Sequence, residues 1–264
     1  MVPESPLVKT LLGDGLRQVL HGLGTAALDV LYPPLCLHCE APVATSDALC
    51  GSCFGKLVPI TAPLCPRLGI PFETAIGANA VSAEAIADPP PFERARAAVV
   101  YNEVSGALVS RLKYGDRPEL ARFCARLMAG AGHALWADCP VLVPVPLHRS
   151  RQLRRGYNQS LELARALGAI TGLAVDPLLV RRVKRTRQQV GLSGSARERN
   201  VAGAFAAHPD TLNRLRGRRV TIIDDVLTTG STVKAMTRAL RKAGADTVDV
   251  MTFARVVVGE ETPI

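Results

Sequence analysis

In the stretch VTIIDDVLTTGST, Val220 to Thr232, two kinds of chemistry meet. An apolar run delivers two adjacent carboxylates, Asp224 and Asp225. The chain then turns into small hydroxyl residues, Thr228, Thr229, Ser231 and Thr232, around Gly230. A glycine in a turn ahead of a helix exposes successive backbone N–H groups, and flanking hydroxyls add donors, so a phosphate fits there. The pattern G-x-x-x-x-G-K-[ST] is missing, which argues against an ordinary nucleoside triphosphatase loop. A plain strand-to-helix turn capped by Ser231 or Thr232 would explain the hydroxyls. It would not explain consecutive acids, because crowded like charges are costly unless a cation or a polyol is recognised. A phosphorylated sugar satisfies both halves, its ribose hydroxyls donating to the carboxylates and its 5-phosphate lying in the loop.

A second constellation lies near the start of the chain. CLHC (Cys36, Cys39) and CGSC (Cys50, Cys53) are separated only by residues 40–49. Each tight Cys-x-x-Cys turn offers two thiolates, and four complete a tetrahedral zinc shell. A structural zinc supplies stability that so small a segment cannot draw from its own core. Disulfides or free thiols are the alternative, disfavoured by the absence of a secretion signal. His38 could replace one thiolate, though four cysteines make it unnecessary. Cys65 has no nearby partner, and Cys124 and Cys139 read as ordinary buried thiols.

The elements that position these groups follow from periodicity. ADPPPFERA, Ala87 to Ala95, cannot continue a helix or a central strand and reads as a linker. It divides the chain into an N-terminal helix plus zinc ribbon (1–90) and an α/β domain (91–264). Strands are expected at Ala95 to Tyr101, Pro140 to Pro146, Arg218 to Asp224 and in TVDVMTFARVV. Helices are expected at Ser105 to Tyr114, Pro118 to Ala131, Ser160 to Gly172 and Ser231 to Ala245. Strands alternating with helices of that length imply a parallel sheet covered on both faces. Ligands of such sheets bind at the carboxyl ends of the strands, where Asp224 and Asp225 fall. Leu12, Leu16, Val19, Leu20 and Leu23 mark an amphipathic helix within Leu7 to Leu31 that packs on its own protein.

Composition limits the partners. The 264 residues are 48% apolar with only 4% aromatic, which suits a globular α/β protein. A net charge of +9 favours anionic ligands, whether phosphates or nucleic acid. No apolar run approaches the roughly 20 residues of a membrane span, and no targeting segment is evident, so a cytoplasmic location is expected. From Arg149 to Arg199 twelve Lys or Arg stand against three Asp or Glu. That asymmetry suits pyrophosphate and also single-stranded DNA, although Tyr157 is the lone aromatic there for stacking bases.

IIDDVLTTGST resembles the phosphoribosyl pyrophosphate signature of type I phosphoribosyltransferases. The wider chain resembles the ComF family, named for a competence protein, in which a zinc ribbon precedes a phosphoribosyltransferase domain. The supporting stretches are the two Cys-x-x-Cys turns, RLKYGDRPELA (Arg111 to Ala121), VPVPLHRSRQLRRGYNQSLELA (Val143 to Ala164) and TRQQVGLSGSARERNVAGAF (Thr186 to Phe205). The resemblance implies that Asp224 and Asp225 contact the ribose hydroxyls and stabilise positive charge at the anomeric carbon. It implies that Thr228, Thr229, Gly230, Ser231 and Thr232 hold the 5-phosphate, and that His148 and Arg149 lie where the pyrophosphate binds. It further implies a magnesium ion bridging pyrophosphate and ribose, a mobile loop at Arg181 to Arg199, and a family block RRGYNQ from Arg154 to Gln159. Two functions are compatible with it. One is phosphoribosyl transfer to a nitrogenous base whose identity the sequence leaves open; the other is a non-catalytic module that binds single-stranded DNA or a DNA-processing partner. Relatives commonly carry a second ribbon pair beginning CPRCG. Here CPRLG puts Leu68 at the ligand position, and Ser82 and Ala85 stand where another pair would sit, so one zinc is expected.

Overall fold

The computed structural model describes residues 33–257 except 75, 76, 78, 79, 115–117 and 187–193. The helix expected between Leu7 and Leu31 lies outside them. Four strands, β1 (Ala95–Val100), β2 (Val141–Pro144), β5 (Val220–Leu227) and β6 (Val248–Arg255), form a parallel sheet in the order β1-β6-β5-β2. β5 and β6 are apolar along most of their length because both faces are covered. On one face lie α4 (Pro118–Ala131) and α7 (Gln159–Thr171), which pack on each other and on the sheet. On the other lie α10 (Ser231–Lys242), through Val233, Met236 and Leu240, and α8 (Gly194–Val201) against α10. The α/β expectation with a parallel sheet therefore holds.

The helix boundaries have local causes. α4 begins at a proline, whose missing N–H is unneeded in the first turn. Asn158 caps α7 by accepting from the Ser160 N–H, and Gly172 closes it in the left-handed region at φ 72°. α3 (Glu103–Tyr114) leaves the carboxyl end of β1 and crosses the sheet edge towards β5. The ten helical steps from Glu103 to Lys113 rise about 15 Å, more than the ~10 Å from β1 past β6 to β5.

The ribbon is part of the same body. Cys36, Leu37, Leu49, Cys53 and Leu57 share one apolar core with Val104 and Leu108 of α3, Met128 of α4 and Phe253 of β6. Polar seams reinforce the contact: Arg111 donates to the Leu37 carbonyl at 2.9 Å and pairs with Glu40, while Asp47 pairs with Arg122 and Arg126. Below the sheet's other end, fully buried Asp249 accepts from the Arg94 backbone N–H and takes the Arg94 guanidinium in a two-pronged pair, tying β1 to β6.

Three sequence expectations change. β5 runs on to Leu227, so the acids lie within the ladder, Asp224 opposite Thr252, and not at its end. The basic segment Arg181 to Arg199 is not a continuous loop. Its start belongs to β3 (Val180–Arg182), paired antiparallel with β4 (Phe205–Ala207), and its end to α8, while residues 187–193 lie outside the description. Three-residue strands are too short for periodicity to reveal. Cys139 is exposed and not buried, because it sits in a turn at φ 45° ahead of β2.

Candidate functional site

Asp224 and Asp225 are 8% and 6% exposed. Burying a carboxylate is tolerable only with hydrogen bonds or a counter-charge, and each acid has its own solution. The Ser160 hydroxyl, in the first turn of α7, donates to Asp224 Oδ1 at 3.0 Å, and the Asp225 backbone N–H donates to the same oxygen at 3.0 Å. Asp225 Oδ1 accepts from the Val226 N–H at 3.0 Å, while Oδ2 faces the Lys113 ammonium of α3 at 3.3 Å. Burial first, and then the neighbouring Asp225 charge, push the Asp224 carboxyl up to about 8.

The hydroxyl turn follows directly. Thr228 and Thr229 are exposed, Gly230 adopts φ 73°, and Ser231 is buried at the start of α10. The left-handed conformation at Gly230 is one an L side chain resists, so the glycine is required by the turn itself. Thr229 and Ser231 hydroxyls bond each other at 2.8 Å, leaving their oxygens on a common side of the turn.

The β2 edge contributes a second wall. The Val145 N–H donates to the Ile223 carbonyl, one residue before Asp224, and the Asn158 side-chain amide donates to the Val145 carbonyl at 3.0 Å. Asn158 thus fixes the exit of β2 with its amide and the start of α7 with its oxygen, which in turn sets Ser160 against Asp224. His148 caps the short α6 (Arg149–Arg155), its Nδ1 bonded to the Ser150 hydroxyl at 2.9 Å. His148 and Arg149 belong to the same carboxyl edge, but the bonds of His148 are local, and Arg149 is exposed. The structure therefore brings together Asp224, Asp225 and the Thr228–Thr232 turn, with His148 and Arg149 on the neighbouring strand's exit.

Ser160 and Lys113 were not singled out by sequence. Both were inside quoted family stretches, RRGYNQS and RLKY, but a lone serine in a helix and a lone lysine carry no signal until the fold places them against the acids.

The four cysteines form the second site. Sγ atoms of Cys36, Cys39, Cys50 and Cys53 all lie within 4.8 Å of one another and none is in a disulfide. Zn–S bonds of ~2.3 Å in a tetrahedron put sulfurs about 3.8 Å apart, so the cluster fits zinc. The Ser52 hydroxyl and the Cys53 backbone hold the Cys50 thiol down at about 6, while burial pushes Cys53 up to about 12.

The chain then repeats this turn without the ligands. Cys36 N–H to Ala41 O, Glu40 N–H to Cys36 O and Val43 N–H to Pro34 O recur as Cys65 N–H to Ile70 O, Gly69 N–H to Cys65 O and Phe72 N–H to Pro63 O. The Cys50 N–H donates to Cys36 Sγ, and the Ser82 N–H donates to Cys65 Sγ in the same way. Ser82 thereby takes the place of Cys50, and Leu68 that of Cys39. The partly to fully buried guanidiniums of Arg96 and Arg255 tether this second turn through the Pro66 and Leu68 carbonyls. Cys65 is fully buried; burial raises its thiol, but the N–H groups of Leu68 and Ser82 bring it below the ordinary value.

A Double zinc ribbon domain matches residues 27–85, and a Phosphoribosyl transferase domain matches residues 114–263. The DNA utilization protein YhgH of Salmonella typhimurium is 34% identical over 231 residues, 85% of this chain and 98% of that protein. Competence protein F of Haemophilus influenzae is 31% identical, covering 83% of this chain and 96% of its own. The chain belongs to the ComF family. Competence protein ComFC of Bacillus subtilis is 28% identical over 79% of this chain and 85% of its own. The ribbon is accordingly a zinc-binding element, and the α/β body has the phosphoribosyltransferase fold. Among the described residues no helix is long and apolar enough to cross a membrane.

A raised carboxyl has a stability consequence of definite sign. Between its ordinary value of 3.8 and about 8, Asp224 keeps a proton in the folded protein that the unfolded chain has released. Stability therefore falls as pH rises through that window. Asp224→Asn removes this contribution, so its melting temperature should fall less than wild type's between pH 5 and 8. Parallel profiles for the two proteins would contradict the assignment.

Proposed function

We propose that this protein binds phosphoribosyl pyrophosphate with magnesium at the β5 edge and transfers the phosphoribosyl group to a nitrogenous base. The observation that carries the reading is the pair of buried, hydrogen-bonded carboxylates, Asp224 and Asp225, running directly into the hydroxyl turn at Gly230. In the reaction the bond from the anomeric carbon to pyrophosphate breaks, with its electron pair leaving on the pyrophosphate oxygen. A bond to the base nitrogen forms, and the proton of that nitrogen passes to the departing pyrophosphate or to water. Positive charge develops on the sugar as the leaving group departs, and two preoriented carboxylates beside the ribose stabilise it. The Thr228 to Thr232 turn holds the 5-phosphate through backbone N–H groups and hydroxyls. His148 and Arg149, at the exit of β2, lie on the side from which the pyrophosphate is bound. Magnesium would accompany the pyrophosphate and the ribose beside Asp224 and Asp225 and would neutralise the leaving group. This reading places the protein in the cytoplasm, and divides it at about residue 90 into a ribbon and a catalytic domain.

A second reading keeps the ligand site but makes the protein a module for single-stranded DNA or a DNA-processing partner. The basic stretch from Arg149 to Arg199 favours it, as do the names of the competence relatives. Calorimetry with magnesium and phosphoribosyl pyrophosphate separates the possibilities. Wild type should bind in the micromolar range and Asp225→Ala at least tenfold more weakly. Absence of binding by wild type would refute the site. Binding without pyrophosphate release across a panel of bases would favour the DNA module.

We further propose a single zinc per chain, held by Cys36, Cys39, Cys50 and Cys53. Leu68 and Ser82 occupy two ligand positions of the second turn and Ala85 a third, so Cys65 alone cannot hold a metal. Elemental analysis of purified protein should give one zinc per chain, and the triple variant Leu68→Cys, Ser82→Cys, Ala85→Cys should raise it to two. Two zinc ions in the wild type would overturn this assignment.

A further inference from the structure

We infer that Lys113 is a ligand-binding residue of the β5 site, the cation that lets a pair of buried acids accept a phosphorylated, anionic sugar; this rests on the phosphoribosyl reading above. An acid pair that binds ribose hydroxyls faces an electrostatic conflict, since the same ligand carries phosphate charge towards the buried Asp225 carboxylate. Water cannot screen the repulsion there, because Asp224 and Asp225 are both more than nine-tenths buried. Cations must enter with the ligand or come from the protein. Among the described residues, Lys113 is the cation paired with the acids, its Nζ 3.3 Å from Asp225 Oδ2.

The geometry of that pair is more telling than its existence. Asp225 Oδ2 has no aligned hydrogen-bond donor among the described residues, so Lys113 neutralises it without locking it. The lysine side chain is 35% exposed and the aspartate side chain 9%, so the ammonium lies between the buried acid and solvent, on the side by which a ligand must arrive. A ribose hydroxyl could donate to Oδ2 while the ammonium, on a flexible stem, turns to the incoming phosphate oxygens. Lysine suits that role better than arginine's rigid fork, because its compact charge can be re-aimed.

Lys113 is also not a freely placed surface lysine. It sits two residues from Arg111, whose guanidinium donates to the Leu37 carbonyl inside the first zinc turn and pairs with Glu40. The last turn of α3 is therefore held between the ribbon and the acids. A residue whose task was only to neutralise Asp225 would also gain from being held there, so the test must measure ligand binding separately from folding.

The experiment is calorimetry of magnesium–phosphoribosyl pyrophosphate with wild type, Lys113→Met and Lys113→Arg, alongside melting temperature and zinc content. The expected result is binding at least tenfold weaker for Lys113→Met, a smaller loss for Lys113→Arg, which keeps the charge but not its compact form, and zinc content unchanged. Lys113→Met binding within twofold of wild type would overturn the role of Lys113 while leaving the site intact. Equal losses in both variants accompanied by lowered melting temperatures would mark a structural ion pair and overturn it as well. Absence of binding by wild type would remove the site reading and this inference together.

Discussion

Asp224 and Asp225 are consecutive carboxylates on a covered strand, and unit charges about 4 Å apart at the effective dielectric of such a site repel by about 4 kcal/mol. The surroundings can be understood as ways of containing that repulsion. Ser160 and the backbone N–H groups of Asp225 and Val226 supply donors, Lys113 supplies an opposite charge, and a raised Asp224 keeps a proton in place. Each solution depends on a different element. Ser160 is set by the Asn158 cap of α7, which also holds the exit of β2, and Lys113 is set by α3 as it crosses the sheet edge. A sheet that buried its strand ends without these neighbours could not carry two ionisable acids there.

The same helix, α3, explains why a small ribbon is attached to such a domain. Its Arg111 reaches into the first zinc turn while its Lys113 reaches Asp225. Cys36, Leu37 and Cys53 lie in one core with α3 and α4, so the metal that fixes the ribbon also fixes the floor under the helix. The second turn has kept the backbone bonds of a zinc knuckle while its ligand positions became Leu68, Ser82 and Ala85. Partly buried Arg96 and buried Arg255 tie it to the sheet through the Pro66 and Leu68 carbonyls. Arg255 pairs in register with Leu227 at the end of β5, so the second turn is fastened beside the hydroxyl loop.

Much of this was legible in the sequence for identifiable reasons. The long helices and the apolar strands carried periodicity over enough residues to be located, and the Cys-x-x-Cys spacing and the IIDDVLTTGST motif concentrate their chemistry locally. The hairpin of β3 and β4 is not legible because three-residue strands have no period to read, and the exposure of Cys139 follows from a positive φ that a cysteine before a proline does not signal. Ser160 and Lys113 lie in stretches that resemble the family, yet their significance lies in contacts across 64 and 112 positions of chain. Local motifs announce which groups do chemistry, whereas the residues that make those groups tolerable are brought by topology.

The central claim is that the acid pair and the hydroxyl turn together hold a phosphorylated ribose. A crystal structure of the full chain with magnesium and phosphoribosyl pyrophosphate tests it most directly. The ribose hydroxyls should lie on the carboxylates of Asp224 and Asp225, with the 5-phosphate among the N–H groups and hydroxyls of Thr228 to Thr232. Density for the phosphate at another edge of the sheet, or a ligand bound without contact to either acid, would contradict it.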